Sequence, residues 1–106
     1  MKNNEKRPNL IYVFADQLRY FSTGYAGDTK AQTSHIDAFC KESTDLCQTV
    51  SGHPVCAPYR ASLLTGKYTT STGMVINEIR MNTNHETFAD VLNENGYDTA
   101  YIGKWH

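Results

Sequence analysis

Asn9-Leu10-Ile11-Tyr12-Val13-Phe14-Ala15 is an almost unbroken run of apolar, β-branched and aromatic residues. Such a run fits a strand buried on both faces, as in a parallel sheet. Pro8 stands just before it, where a missing N–H does little harm. The run leads straight into Asp16 and Gln17, so two oxygen-bearing side chains stand at the carboxyl end of the expected strand. Open α/β sheets place their ligands beyond that end.

Outward from this strand, the residues at 22–32 read as a loop, with Gly24, Gly27 and Asp28. Ser34 followed three residues later by Asp37 is a capping-box pattern. Ile36, Phe39 and Cys40 follow at helical spacing and predict a helix over 34–45. Residues 46–50 predict a short strand and 51–54 a turn. Pro58 suits the first turn of a helix over 58–65, with Gly66 as its left-handed stop. The Thr- and Asn-rich stretch 67–85 has no period and reads as a long loop, a feature that in compact domains is usually functional. Thr87 with Asp90 is a second capping box, opening a helix with an apolar stripe of Phe88, Val91 and Leu92 that stops at Gly96. Residues 99–103 predict another strand, leading into Lys104, Trp105 and His106. This order of elements predicts an α/β domain with a mostly parallel sheet. Two or three strands make a poor sheet, so the expectation is the front part of a longer protein.

The 106 residues have 10 Lys and Arg against 11 Asp and Glu, a formal net charge of −1. That balance argues against a nucleic-acid binder, which needs a basic surface. With 40 % hydrophobic and 20 % charged residues, the composition suits a folded domain rather than a disordered tail. The longest apolar run, 10–15, is too short to cross a bilayer, and no membrane partner is expected. Residues 1–7 are polar with no apolar core for export, which reads as cytoplasmic, or as periplasmic or secreted if the N-terminus has been trimmed. Three cysteines, Cys40, Cys47 and Cys56, are too few and too irregular for a disulfide scaffold or a zinc ribbon. Cys40 and Cys47 are expected to be small buried hydrophobes.

Three polar clusters fall at places where such folds build sites: Asp16 with Gln17, Lys104 with His106, and Cys56-Ala57-Pro58-Tyr59-Arg60 at a helix entrance. Cys56 and Arg60 are four residues apart, so their side chains can share a helix face. Carboxylate, carboxamide, thiol, guanidinium, ammonium and imidazole together suit an oxyanion substrate beside a hard metal ion. Singly, each has an ordinary explanation: a turn former, a solvated cation, a surface ion pair. Their joint placement is much harder to assign to chance.

The run Cys56-Ala57-Pro58-Tyr59-Arg60-Ala61-Ser62-Leu63-Leu64-Thr65-Gly66 contains C-x-P-x-R with a Thr-Gly downstream. It resembles the signature of the formylglycine-dependent (type I) sulfatases of the alkaline phosphatase superfamily. Arg7-Pro8-Asn9-Leu10-Ile11 through Ala15-Asp16-Gln17 resembles that family's first strand and metal-binding start, and Gly103-Lys104-Trp105-His106 resembles its G-K-W-H element. His35-Ile36-Asp37, Phe88-Ala89-Asp90-Val91-Leu92 and Asn95-Gly96-Tyr97 also match in order and spacing. The resemblance implies the N-terminal part of an alkaline-phosphatase-like, mostly parallel sheet flanked by helices. Residues 1–106 would then be one portion of a catalytic domain that continues beyond residue 106.

It also implies a chemistry. A formylglycine-generating or anaerobic maturation enzyme would oxidise Cys56 to formylglycine, whose aldehyde hydrates to a gem-diol. One hydroxyl, activated by a divalent cation, would attack the sulfur of a sulfate ester; the other would expel sulfate by regenerating the aldehyde. By the same resemblance, Asp16, Gln17 and the residue derived from Cys56 are metal-binding positions, with Gln17 where many members have a second Asp. Oxygen ligands imply Ca2+, with Mg2+ as the alternative. Arg60 matches the residue that steadies the formylglycine, Lys104 a sulfate-binding position, and His106 a contact to the diol that helps its proton leave. Tyr59 replaces the commoner Ser. The implied substrates are sulfate esters, carbohydrate sulfates first and aryl or choline sulfates after them. The alternatives are a formylglycine-dependent phosphonate or phosphate ester hydrolase and an inactive metal- or anion-binding fragment, since nothing here resembles the family's later metal pair.

Overall fold

The structure is a computed structural model that describes residues 7–106. The polar opening at 1–6, read above for its lack of an export core, lies outside the described residues. The described residues carry a 3-10 turn at Tyr20–Ser22 and the helices α1 (Ser34–Cys40), α2 (Cys56–Thr65), α3 (Thr69–Thr72) and α4 (Phe88–Glu94). No helix among them is long and apolar enough to cross a membrane. The chain divides into two compact units, Met1–Cys47 and Gln48–His106.

The expected parallel sheet is not formed by the described residues: the runs 9–15, 46–50 and 99–103 contain no strand. Val13 is 85 % exposed and Ile102 96 %. A strand exists only where a neighbour pairs its N–H and C=O groups, and a parallel neighbour comes from a distant segment. The apolar runs therefore carry the composition of buried strands without a ladder to complete them.

In the first unit, α1 stops at Cys40, five residues short of expectation. The apolar period ends there, the next five residues are Lys41, Glu42, Ser43, Thr44 and Asp45, and Ser43 Oγ donates to the Phe39 carbonyl at 2.9 Å. The Ser34–Asp37 capping box is also not made; Thr33 is the N-cap residue and supplies no side-chain cap. Asp37 instead accepts the Tyr25 N–H at 2.9 Å and the Thr33 hydroxyl at 2.8 Å, while the Gly24 N–H donates to Thr33 Oγ1 at 2.7 Å. Donors brought in from the 24–25 turn displace the local cap. The Tyr20 hydroxyl donates to Asp45 at 2.8 Å, and this bond to a carboxylate pushes the phenol up to about 12. Cys40 is half-buried and Cys47 exposed, so neither is the fully buried hydrophobe expected; both are free thiols.

In the second unit, α2 begins at Cys56, two residues before the predicted start. The first-turn amides of a helix have no intrahelical acceptor, so Pro58 fits as its third residue without losing a bond. Gly66 ends the helix at φ 66°, where a side chain would be strained, and its N–H closes on the Ser62 carbonyl at 2.8 Å. Ala57 and Ala61, one turn apart, are 1 % and 0 % exposed and pack with the fully buried Met74; Met81 packs against this group. The stretch 67–85 is thus not a featureless loop. It contains α3 and supplies Met74 to the core, because small residues on α2 leave room for a long, flexible side chain.

The capping box at α4 forms as expected. The Thr87 N–H and hydroxyl donate to Asp90 at 2.8 and 2.7 Å, and the Asp90 N–H donates back to Thr87 Oγ1 at 3.3 Å. The hydroxyl bond first, then the backbone bond, holds the Asp90 carboxyl below its ordinary value. A depressed carboxyl contributes stability above its unfolded pKa and loses it as pH falls through the folded one. Thr87→Ala is therefore expected to destabilise α4 by about 1 kcal/mol at neutral pH. The gap from wild type should narrow in acid, as Asp90 protonates and the charge that strengthens the bonds it accepts is lost. Thermal unfolding of both proteins at pH 7 and in steps down to pH 2 checks this; a gap of the same size throughout would show that Asp90 has no part in it.

Candidate functional site

Cys56 opens α2, and the helix brings Arg60 one turn later onto the same face. The Arg60 side chain is only 3 % exposed. A buried guanidinium needs acceptors for its N–H groups. Two are backbone carbonyls: Nη1 donates to Cys56 O at 3.0 Å and Nε to Lys104 O at 2.9 Å. The second bond draws the 101–104 segment onto α2. Gly103, at φ 120°, provides a backbone turn there that a side chain would strain. The Tyr101 hydroxyl donates to the same Lys104 carbonyl at 2.7 Å, and its ring meets Trp105 edge-on with centroids 6.5 Å apart. Lys104 Nζ then lies 3.5 Å from Cys56 Sγ.

The structure thus brings together three of the residues singled out from sequence: Cys56, Arg60 and Lys104. Cys56 is half-buried and Lys104 exposed, and the ammonium lies beside the sulfur. His106 is exposed and makes no hydrogen bond to these residues. Tyr59, the unusual residue of the signature, is half-buried on α2.

Asp16 and Gln17 belong to the other unit, in an exposed turn directly after the apolar run 9–15. Gln17 has φ 45°, in the left-handed region that non-glycine residues rarely enter. Strain of this kind concentrates at functional positions. A carboxylate and a carboxamide oxygen on consecutive residues are the hard donors that Ca2+ or Mg2+ takes. Among the described residues, no group of three or more His, Cys, Asp or Glu could hold a metal ion. The pair fits a divalent cation in kind and supplies only part of its shell.

Sequence reasoning missed two residues that shape this site. Tyr101 was read only as part of a strand, yet its hydroxyl fixes the Lys104 carbonyl. Asn77, in the stretch read as a loop, accepts the Ala57 N–H at 3.0 Å. The predicted start at Pro58 concealed it: α2 begins at Cys56, and its N-cap residue, Val55, has no side-chain acceptor to offer.

The family model described as Sulfatase matches residues 8–106. The ulvan-active sulfatase of Formosa agariphila is 46 % identical over 100 residues, covering 94 % of this chain and 20 % of that protein. Human steryl-sulfatase is 35 % identical over 111 residues, covering 94 % of this chain and 19 % of that one. The N-acetylgalactosamine-6-O-sulfatase of Bacteroides thetaiotaomicron is 36 % identical over 108 residues, covering 97 % of this chain and 21 % of its own length. The chain spans about a fifth of the length of these curated relatives. No solved structure gives a significant match.

Proposed function

Because the chain belongs to the sulfatase family, we infer that it is the N-terminal portion of an enzyme that hydrolyses sulfate esters, with residue 56 as its nucleophile. The observation that carries this reading is the approach of Lys104 Nζ to Cys56 Sγ at 3.5 Å, with Arg60 bonded to the backbone of both residues. The same portion would contribute the first strand of an alkaline-phosphatase-like α/β sheet, with the exposed runs 9–15 and 99–103 paired by the rest of the domain.

In this reading Cys56 is converted by a maturation enzyme to formylglycine, which supplies a hydroxyl nucleophile and a second hydroxyl through which sulfate is released. A divalent cation, Ca2+ or Mg2+, would be held by Asp16, Gln17 and residue 56, and would supply Lewis-acid charge at the nucleophile. Lys104 binds the sulfate oxygens and meets the charge that builds on them. Arg60 steadies residue 56 through its carbonyl and holds Lys104 in reach. His106 takes a proton from the residue-56 hydroxyls. Carbohydrate sulfates are the proposed substrates. Support comes from relatives named N-acetylgalactosamine-6-O-sulfatase and N-acetylglucosamine-6-O-sulfatase, 36 % and 32 % identical to this chain.

Intact mass tests the reading first. Co-expressed with a maturation enzyme, the intact protein is expected to lose roughly 18 mass units at Cys56, as conversion of a thiol to an aldehyde requires. It should then hydrolyse a carbohydrate sulfate faster than a phosphonate monoester. A thiol that persists under conditions that mature other sulfatases would remove the nucleophile. A faster phosphonate reaction would move the enzyme to the other ester class.

A further inference from the structure

The first turn of α2 must hold residue 56 still, yet the usual device is missing. Val55 provides no side-chain oxygen for the orphan amides. Pro58 has no N–H, and the Tyr59 N–H closes on the Val55 carbonyl at 2.9 Å. The Ala57 amide, directly after the reacting residue, is taken from twenty residues away by Asn77 Oδ1 at 3.0 Å.

Asn77 is well placed to hold that bond. It is half-buried, so water competes weakly for it. Three residues before it, Met74 is fully buried against Ala57 and Ala61; four residues after it, Met81 packs on the same group. The carboxamide is thus slung between two apolar anchors that rest on α2 itself. We propose that Asn77 is a positioning residue for residue 56: by holding the Ala57 amide it fixes the first turn of α2, and with it the direction in which the residue-56 side chain leaves the helix toward Lys104. No step of the chemistry passes through Asn77, and the proposal rests on the reading of residue 56 as the nucleophile only for its effect on turnover.

The test compares wild type, Asn77→Ala and Asn77→Asp in the intact protein. Asp keeps an acceptor oxygen and suits a helix N-terminus; Ala keeps none. Hydrogen exchange over 55–59 should quicken about fivefold to tenfold in Asn77→Ala and stay close to wild type in Asn77→Asp, in proportion to a lost cap. Exchange at Gly66, at the far end of α2, should not change in either. Alkylation of the unmodified Cys56 by iodoacetamide should change several-fold in Asn77→Ala, and kcat per formylglycine on a sulfate ester should fall with KM little altered. Exchange over 55–59 unchanged in Asn77→Ala would overturn the proposal, because the bond would not be holding the turn. Faster exchange with unchanged alkylation and unchanged kcat would overturn it too, leaving Asn77 a mere helix cap. If exchange and alkylation respond while wild type hydrolyses no sulfate ester, positioning stands and the sulfatase reading fails.

Discussion

Lys104→Ala in the intact, matured protein is expected to lower turnover of a sulfate ester by roughly a hundred- to a thousand-fold, the usual loss when one preorganised electrostatic donor is removed. The ammonium lies 3.5 Å from Cys56 Sγ, close enough to meet an oxyanion bound at residue 56. Its own place is fixed from the backbone side, where Tyr101 and Arg60 both hold its carbonyl. The side chain is exposed, so its removal should leave the melting temperature nearly unchanged. His106→Ala should also slow turnover, through the proton steps, with the fold intact because His106 is exposed as well. Lys67→Ala is the control: Lys67 is exposed beyond the end of α2 and has no assigned role. Steady-state kinetics on one good sulfate ester checks all three. Normal turnover in both Lys104→Ala and His106→Ala would reduce the site to Cys56 and Arg60.

Arg60→Ala is expected to be the most damaging substitution in the second unit, for a different reason. Arg60 is 3 % exposed, and its guanidinium bonds the carbonyls of Cys56 and Lys104, 48 residues apart in sequence. Hydrogen bonds from charged donors contribute about 1.5 to 3 kcal/mol each, and their loss leaves the Cys56 carbonyl without the guanidinium and the Lys104 carbonyl with the Tyr101 hydroxyl. A fall in unfolding free energy of about 3 kcal/mol or more follows, from two such bonds and the lost packing of the stem. The site should fail with it, because the bond that draws Lys104 toward residue 56 is gone. Arg60→Lys should rescue neither property: an ammonium is a point charge and cannot present the planar fork that reaches both carbonyls. Denaturant unfolding followed by turnover at a permissive temperature separates the two effects. A stable, active Arg60→Lys protein would show that charge alone suffices at this position.

Where a feature depended on neighbours in sequence, it was legible. The Thr87–Asp90 capping box and the Gly66 stop of α2 appear where the pattern places them, since each is made by residues within one or two turns. The signature around Cys56 identified the family, and the i, i+4 spacing put Arg60 on the face of Cys56. The pattern also misled. Ser34 and Asp37 have the spacing of a cap, yet Asp37 serves the Tyr25 amide and the Thr33 hydroxyl instead, because a loop brings donors to it that local spacing does not reveal. The apolar runs 9–15, 46–50 and 99–103 have strand composition but no ladder among the described residues, because composition sets which segments seek burial and a ladder needs a second segment.

By itself, then, the sequence determined the helix stops and the cap that local spacing governs, the sulfatase family and the residue types around Cys56. Only the tertiary structure decided that the Arg60 guanidinium reaches the Lys104 carbonyl, that Tyr101 shares this acceptor, and that Asn77 holds the amide after Cys56. Each of these bonds joins a side chain to a backbone group. Every residue but proline offers the same carbonyl and N–H, and proline still offers the carbonyl. The partner is therefore not written in residue identity but in which stretch of backbone the fold brings within 3 Å.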